Sequence, residues 1–159
     1  MKQQGVTLVE MMIVVLILGI IAAAASPFTS AWTDNAKVDE GSAALEEAVG
    51  RAKAAAMRNT AGINSSDQAA SRLCFSDSKI KLVVPASAGG SLTCDLTPIW
   101  SATLSDKVSI KVDDVAWLCS CFNNRGLIAN PKPAVCDTCS STLKFTFKSG
   151  DHSEERSFY

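Results

Sequence analysis

From Val6 to Ala25 the chain runs twenty residues with a single charge, Glu10. At about 1.5 Å of rise per residue, such a helix is roughly 30 Å long, the thickness of a bilayer's hydrocarbon core. No soluble domain built from the remaining residues needs a segment of this kind. Met1 to Gly5 are short and polar with one cation, Lys2. A cation on that side places the N-terminal end in the cytoplasm and everything after Ala25 outside it.

Three readings of the segment compete. A cleavable secretory signal would use Ala23-Ala24-Ala25 before Ser26 as its small-residue cleavage site. A plain membrane anchor leaves Glu10 as an unexplained cost, about 2.5–3.5 kcal/mol or less given its place near the interface. The third accounts for Glu10. Gly5-Val6-Thr7-Leu8-Val9-Glu10 resembles the processing motif of type IV pilins and pseudopilins: a glycine, an apolar residue, Thr-Leu, an aliphatic residue, then Glu.

That resemblance implies cleavage after Gly5 by a prepilin peptidase and N-methylation of the new terminus, Val6. It also implies that Glu10 docks onto the amine of a neighbouring subunit. A carboxylate in an apolar filament core is costly unless paired, so the pairing drives docking and sets axial register.

Pro27 interrupts the helical pattern, removing one backbone donor; the resemblance extends here, since pilins commonly carry a proline at this point. The pattern resumes with Leu45, Ala48, Val49, Ala52, Ala55 and Ala56 at three- and four-residue spacing, with Glu46, Glu47, Arg51, Lys53 and Arg58 opposite. This is an amphipathic helix with a narrow alanine-rich stripe, suited to lying on a sheet. Asn59-Thr60-Ala61-Gly62 ends it.

Beyond Asn64 the period changes to two. Ile80-Lys81-Leu82, Lys107 to Val112 and Thr142 to Lys148 alternate, the last placing Leu143, Phe145 and Phe147 on one face. Further strands are expected at Arg72–Ser76, Ile99–Leu104, Ala116–Phe122 and Glu154–Tyr159. Turn signals separate them at Pro85–Gly90, Ser105-Asp106, Asn123–Gly126 and Ser149-Gly150-Asp151. The expected fold is α+β: a long N-terminal helix, half membrane-spanning and half amphipathic, packed on an antiparallel β-sandwich-like head. Its divisions are a leader (1–5), a transmembrane helix (6–26), an amphipathic extension (27–60) and a head (61–159). Within the superfamily the arrangement resembles the GspH/FimT group of minor pilins, with an alanine-rich, Arg-containing helix end, a phenylalanine shortly before a turn glycine (Phe122 to Gly126) and a final hairpin with basic residues.

The six cysteines, Cys74, Cys94, Cys119, Cys121, Cys136 and Cys139, avoid the apolar segment. An even count outside the membrane suggests disulfides in an oxidising compartment. Cys119 and Cys121 lie two apart on an expected strand and face one way. The C-x-C and C-x-x-C pairs, fourteen residues apart, fit either two adjacent disulfides or a four-thiolate zinc site; Cys74 and Cys94 then pair by remainder. No histidine joins the cluster, and disulfides are the expectation, with no metal or cofactor. No βαβ pattern frames Cys136 and Cys139 for a thioredoxin-like role.

The only histidine, His152, falls in a turn beside Asp151 and Glu154, and no signature marks a nucleophile or a phosphate loop. We therefore expect a structural subunit and not an enzyme. Its expected partners are other pilin or pseudopilin subunits, prepilin peptidase and the bacterial inner membrane, with the head in the periplasm or on a filament. Net charge is −1 and becomes one unit more negative if Lys2 leaves with a leader, so there is no broad electrostatic drive toward nucleic acid. Some FimT-like pilins bind DNA through basic residues near the C-terminus. The positions here are Lys144, Lys148 and Arg156, interleaved with Asp151, Glu154 and Glu155.

Overall fold

A computed structural model of the chain describes residues 7–129 and 136–159. One helix, α1 (Leu8–Arg58, 51 residues), takes up a third of it. Thr7 caps its start: the Thr7 hydroxyl accepts the Glu10 N–H at 3.2 Å. Asn59 ends it in the left-handed conformation, φ 47°, with its N–H on the carbonyls of Ala55 and Ala56. The Asn59 side chain then fastens the exit, accepting the Ile63 N–H and donating to the Ile63 carbonyl. The expected interruption at Pro27 does not end the helix. A proline inside a helix deletes one donor, and the turns on either side carry the element through.

The second half of α1 buries the expected stripe. Val38, Leu45, Ala48, Val49, Ala52 and Ala56 are inaccessible or nearly so, while Glu46, Glu47 and Arg51 remain in solvent. Small side chains let the helix lie close to a strand, close enough that Ser71 donates its hydroxyl to the Ala52 carbonyl at 2.8 Å.

Among the described residues eight strands follow: β1 (Ala69–Ser76), β2 (Lys79–Val83), β3 (Trp100–Thr103), β4 (Ser109–Val112), β5 (Val115–Ala116), β6 (Cys119–Asn123), β7 (Lys144–Ser149) and β8 (His152–Ser157). They form two antiparallel sheets, β3-β2-β1-β6 and β5-β4-β7-β8, and α1 packs on both. The fold is α+β, as expected. Leu73, Ile80, Leu82 and Phe122 of the first sheet meet Ile110, Phe145 and Phe147 of the second around the helix stripe. Phe75 stacks on Trp117 at a centroid distance of 5.8 Å, and Trp117 meets Phe145 edge to face at 5.3 Å.

One expected strand is corrected. Ala116–Phe122 is not continuous: β5 ends at Ala116 in one sheet, and β6 begins at Cys119 in the other. Trp117 marks the crossing. Its N–H donates to the Ile110 carbonyl of the second sheet, and its indole N–H donates to Ser120 Oγ of the first at 3.0 Å. Burying that large ring between the sheets is worth more than uninterrupted pairing. Two tight turns also went unmarked in the sequence, Asp77-Ser78 between β1 and β2 and Asp113-Asp114 between β4 and β5. All four residues have positive φ, a conformation in which Asp is tolerated better than most residues.

Candidate functional site

The first feature is the apolar first half of α1. From Leu8 to Ile21 every large apolar side chain is about half exposed or more, from Val14 at 45% to Leu8 at 77%. Its most apolar stretch has a mean hydropathy of 2.7 and buries nothing against the head. By length and composition this helix is able to cross a membrane. So large a bare apolar surface requires a non-aqueous partner. Glu10 is also exposed, in the first helical turn, where a carboxylate complements the positive end of the helix dipole. Gly5 and Val6, the expected cleavage and methylation positions, lie outside the described residues.

The helix meets the head at Asp34. Asp34 Oδ1 accepts a hydrogen bond from Ser149 Oγ at 3.0 Å and lies 3.5 Å from Lys37 Nζ. The carboxylate also rests against Gly150, in the β7–β8 turn, where any Cβ would collide with it. Ser149 is completely buried. Two turns further along, a Cβ on Gly41 would stand 3.1 Å from Val108 Cγ1. The sequence reading placed Ser149 only in a turn signal and gave Asp34 and Gly41 no role. An aspartate among polar helix residues and a serine beside a turn glycine are ordinary locally; only the fold brings them together.

On the opposite face of the first sheet, the cysteines close three disulfides: Cys74–Cys94, Cys119–Cys139 and Cys121–Cys136. Cys74 and Cys119 are register partners on β1 and β6. Cys119 and Cys121 emerge together and take the two ends of one tight turn, Cys136 to Cys139, closed by an N–H to carbonyl bond of 2.9 Å. The sulfurs of Cys121, Cys136 and Cys139 lie within 4.8 Å of one another, a spacing that thiolates around a metal also show; here each is taken by a disulfide. With Ala69, Val83, Leu92 and Ala129, the disulfides form a second, smaller core. This explains why β1 is buried on both faces from Ala69 to Cys74. Arg72 is held in this layer, donating to the Leu92 carbonyl at 2.8 Å and to Cys119 Sγ at 3.1 Å. Burial pulls its guanidinium below the ordinary value, and the nearby Asp95 charge opposes that. The sequence carried no sign of Arg72.

The basic positions near the C-terminus sit on the last hairpin, two of them paired with acids. Lys144 pairs with Glu155 across β7 and β8. Arg156 pairs with Glu154 at 2.7 Å and reaches Asp39 of α1 at 3.9 Å. Lys148 is exposed opposite Ser153. His152, expected in a turn, instead opens β8 as the register partner of Ser149, so the last strand starts two residues earlier than expected and ends at Ser157.

The family model for the prokaryotic N-terminal methylation motif matches residues 1–26. The chain carries a type IV pilin-like signature. This match covers the expected leader and the apolar stretch, with Gly5, Val6 and Glu10 inside it. The signature fits membrane anchoring and points, in general terms, to contact with other pilin subunits and with prepilin peptidase. No curated protein and no solved structure matches the chain.

Proposed function

We propose that this protein is a minor pilin-like structural subunit that takes part in assembling or priming a type IV pilus, in the manner of the GspH/FimT group. The carrying observation is the methylation motif on a bare apolar helix that runs unbroken into a folded head. In this reading Gly5 is the cleavage point and methylated Val6 the mature terminus. Glu10, one helical turn beyond Val6, pairs with a neighbour's terminal amine once both leave the bilayer. Attraction between the two charges strengthens steeply as water is excluded, so a subunit out of register leaves a buried carboxylate unpaired. The head then stands in the periplasm or on the filament, braced by its disulfides. Nothing in this function calls for catalysis, and we read the chain as structural.

Mass spectrometry of the mature N-terminus tests the reading. Methylated Val6 is expected, whereas a chain beginning at Ser26 overturns it. Glu10→Ala should abolish incorporation into filaments while leaving the precursor in the membrane. A pseudopilin of type II secretion would use the same physics; deletion that stops protein secretion but leaves pili intact selects that alternative. The DNA-uptake reading draws less support, because Lys144 and Arg156 already face carboxylates. Binding of duplex DNA by the purified protein that weakens steeply with salt would restore it.

A further inference from the structure

Trp32 is 73% exposed on α1, beyond the apolar stretch and two residues before Asp34, where the head begins. With the helix unbroken from Leu8, Trp32 lies about 36 Å along its axis from Leu8, at about 1.5 Å per residue. A bilayer's hydrocarbon core takes up about 30 Å and the full bilayer about 40–45 Å. If Leu8 marks one edge of the core, Trp32 falls in the opposite headgroup layer. A tryptophan, apolar in body with one N–H to satisfy, is favoured at that depth.

The head has no room to stand away from that layer. Asp34 is pinned to Ser149 and abuts Gly150, so the β7–β8 turn is fastened to the helix within one turn of Trp32. The neighbouring surface carries Lys107, in the turn that leads into β4, and Lys148 on β7, with Ser109 of β4 the register partner of Lys148. Asp106 and Asp151 are interleaved with them, and all four are exposed. Such an evenly mixed charge does not suit a strongly anionic or cationic surface. It suits headgroups that themselves carry both signs.

We infer that Trp32 and the β7–β8 turn form a membrane-seating surface that rests on a zwitterionic phospholipid headgroup layer while the subunit waits in the bilayer. The inference builds on the membrane reading above. It adds that the head is held at a set depth and tilt, with Trp32 as the depth marker and the Asp34–Ser149 contact as the bracket.

The test uses the full chain in phosphatidylcholine vesicles at high dilution, with spin-labelled lipids quenching either near the headgroup or deep in the tails. Subtracting the Trp32→Phe spectrum isolates Trp32 from Trp100 and Trp117. Trp32 emission should shift to the blue on insertion and be quenched more by the shallow label than by the deep one. Adding Asp151→Trp to the Trp32→Phe background should produce a second signal quenched by the shallow label. If the chain is vesicle-bound but Trp32 stays open to aqueous iodide and insensitive to both labels, the inference falls and the membrane reading stands. Quenching or shielding that changes with protein-to-lipid ratio means that a second copy covers Trp32, which also overturns it. A chain that fails to sediment with vesicles removes both readings.

Discussion

Ser149, wholly inaccessible at the end of β7, gives its hydroxyl hydrogen to the carboxylate of Asp34 in α1, 115 residues earlier, at 3.0 Å. As far as Trp32 every described side chain of α1 is exposed; from Val38 on, one helix face lies in the core. The pair marks where the bare apolar half of α1 gives way to the half that belongs to a folded domain.

Removing either partner should loosen that junction. Ser149→Ala and Asp34→Ala are each expected to destabilise the head by about 1–3 kcal/mol, the usual loss for a buried hydrogen bond to a charged group. The double variant should lose less than the sum. Denaturant unfolding in detergent reads this directly, and strictly additive losses would show that the two residues are not coupled.

Two glycines should respond oppositely to alanine. Gly126 has φ +74°, and a Cβ there would meet Met57 Cγ at 3.2 Å and the Lys53 carbonyl oxygen at 3.4 Å. Gly126→Ala is therefore expected to cost more than about 1 kcal/mol. Gly50 lies mid-helix with nothing within 4 Å of the added atom, so Gly50→Ala should stabilise the head by about 0.4–1 kcal/mol. Thermal unfolding of the two variants side by side tests the contrast.

Each disulfide closes a loop of modest length, 20 residues for Cys74–Cys94 and for Cys119–Cys139 and 15 for Cys121–Cys136. Loop-closure entropy for such lengths is worth about 3 kcal/mol apiece. The paired substitution Cys74→Ala with Cys94→Ala should lower stability by about that amount. Peptide mapping under non-reducing conditions should return the three pairings described here; any other connectivity would displace the Cys136–Cys139 turn and with it the second core.

Glu10→Ala separates folding from assembly. Glu10 is exposed and remote from the head's core, so head unfolding should be unchanged within error. Filament incorporation should nevertheless be lost. A variant that assembles normally would leave the carboxylate without a role.

Local patterns carried much of this protein. A stretch of twenty residues with one glutamate as its only charge, with Gly5 and Thr7 in place, announces a membrane-length segment and a pilin-like signature, because both depend on composition along a few consecutive residues. The alanine stripe of α1 and the alternation in β2, β4 and β7 were equally plain, since one buried face imposes its period directly on the sequence. The six cysteines declared a cross-linked head and left Cys74 to Cys94 by remainder, as the structure has it, without saying which of Cys119 and Cys121 meets Cys136.

What the tertiary structure decided was everything that depends on residues far apart in the chain. The Asp34–Ser149 bracket, the Arg72 guanidinium against Cys119 and the three pairings follow from how two sheets fold over one helix. The break between β5 and β6 has the same origin: Trp117 and its neighbours alternate well enough for one strand, but the core the ring enters belongs to both sheets. Period and composition record what each segment needs from its surroundings. Which segment supplies it is settled only by packing, where volumes must fill and buried polar groups must find partners at the same time.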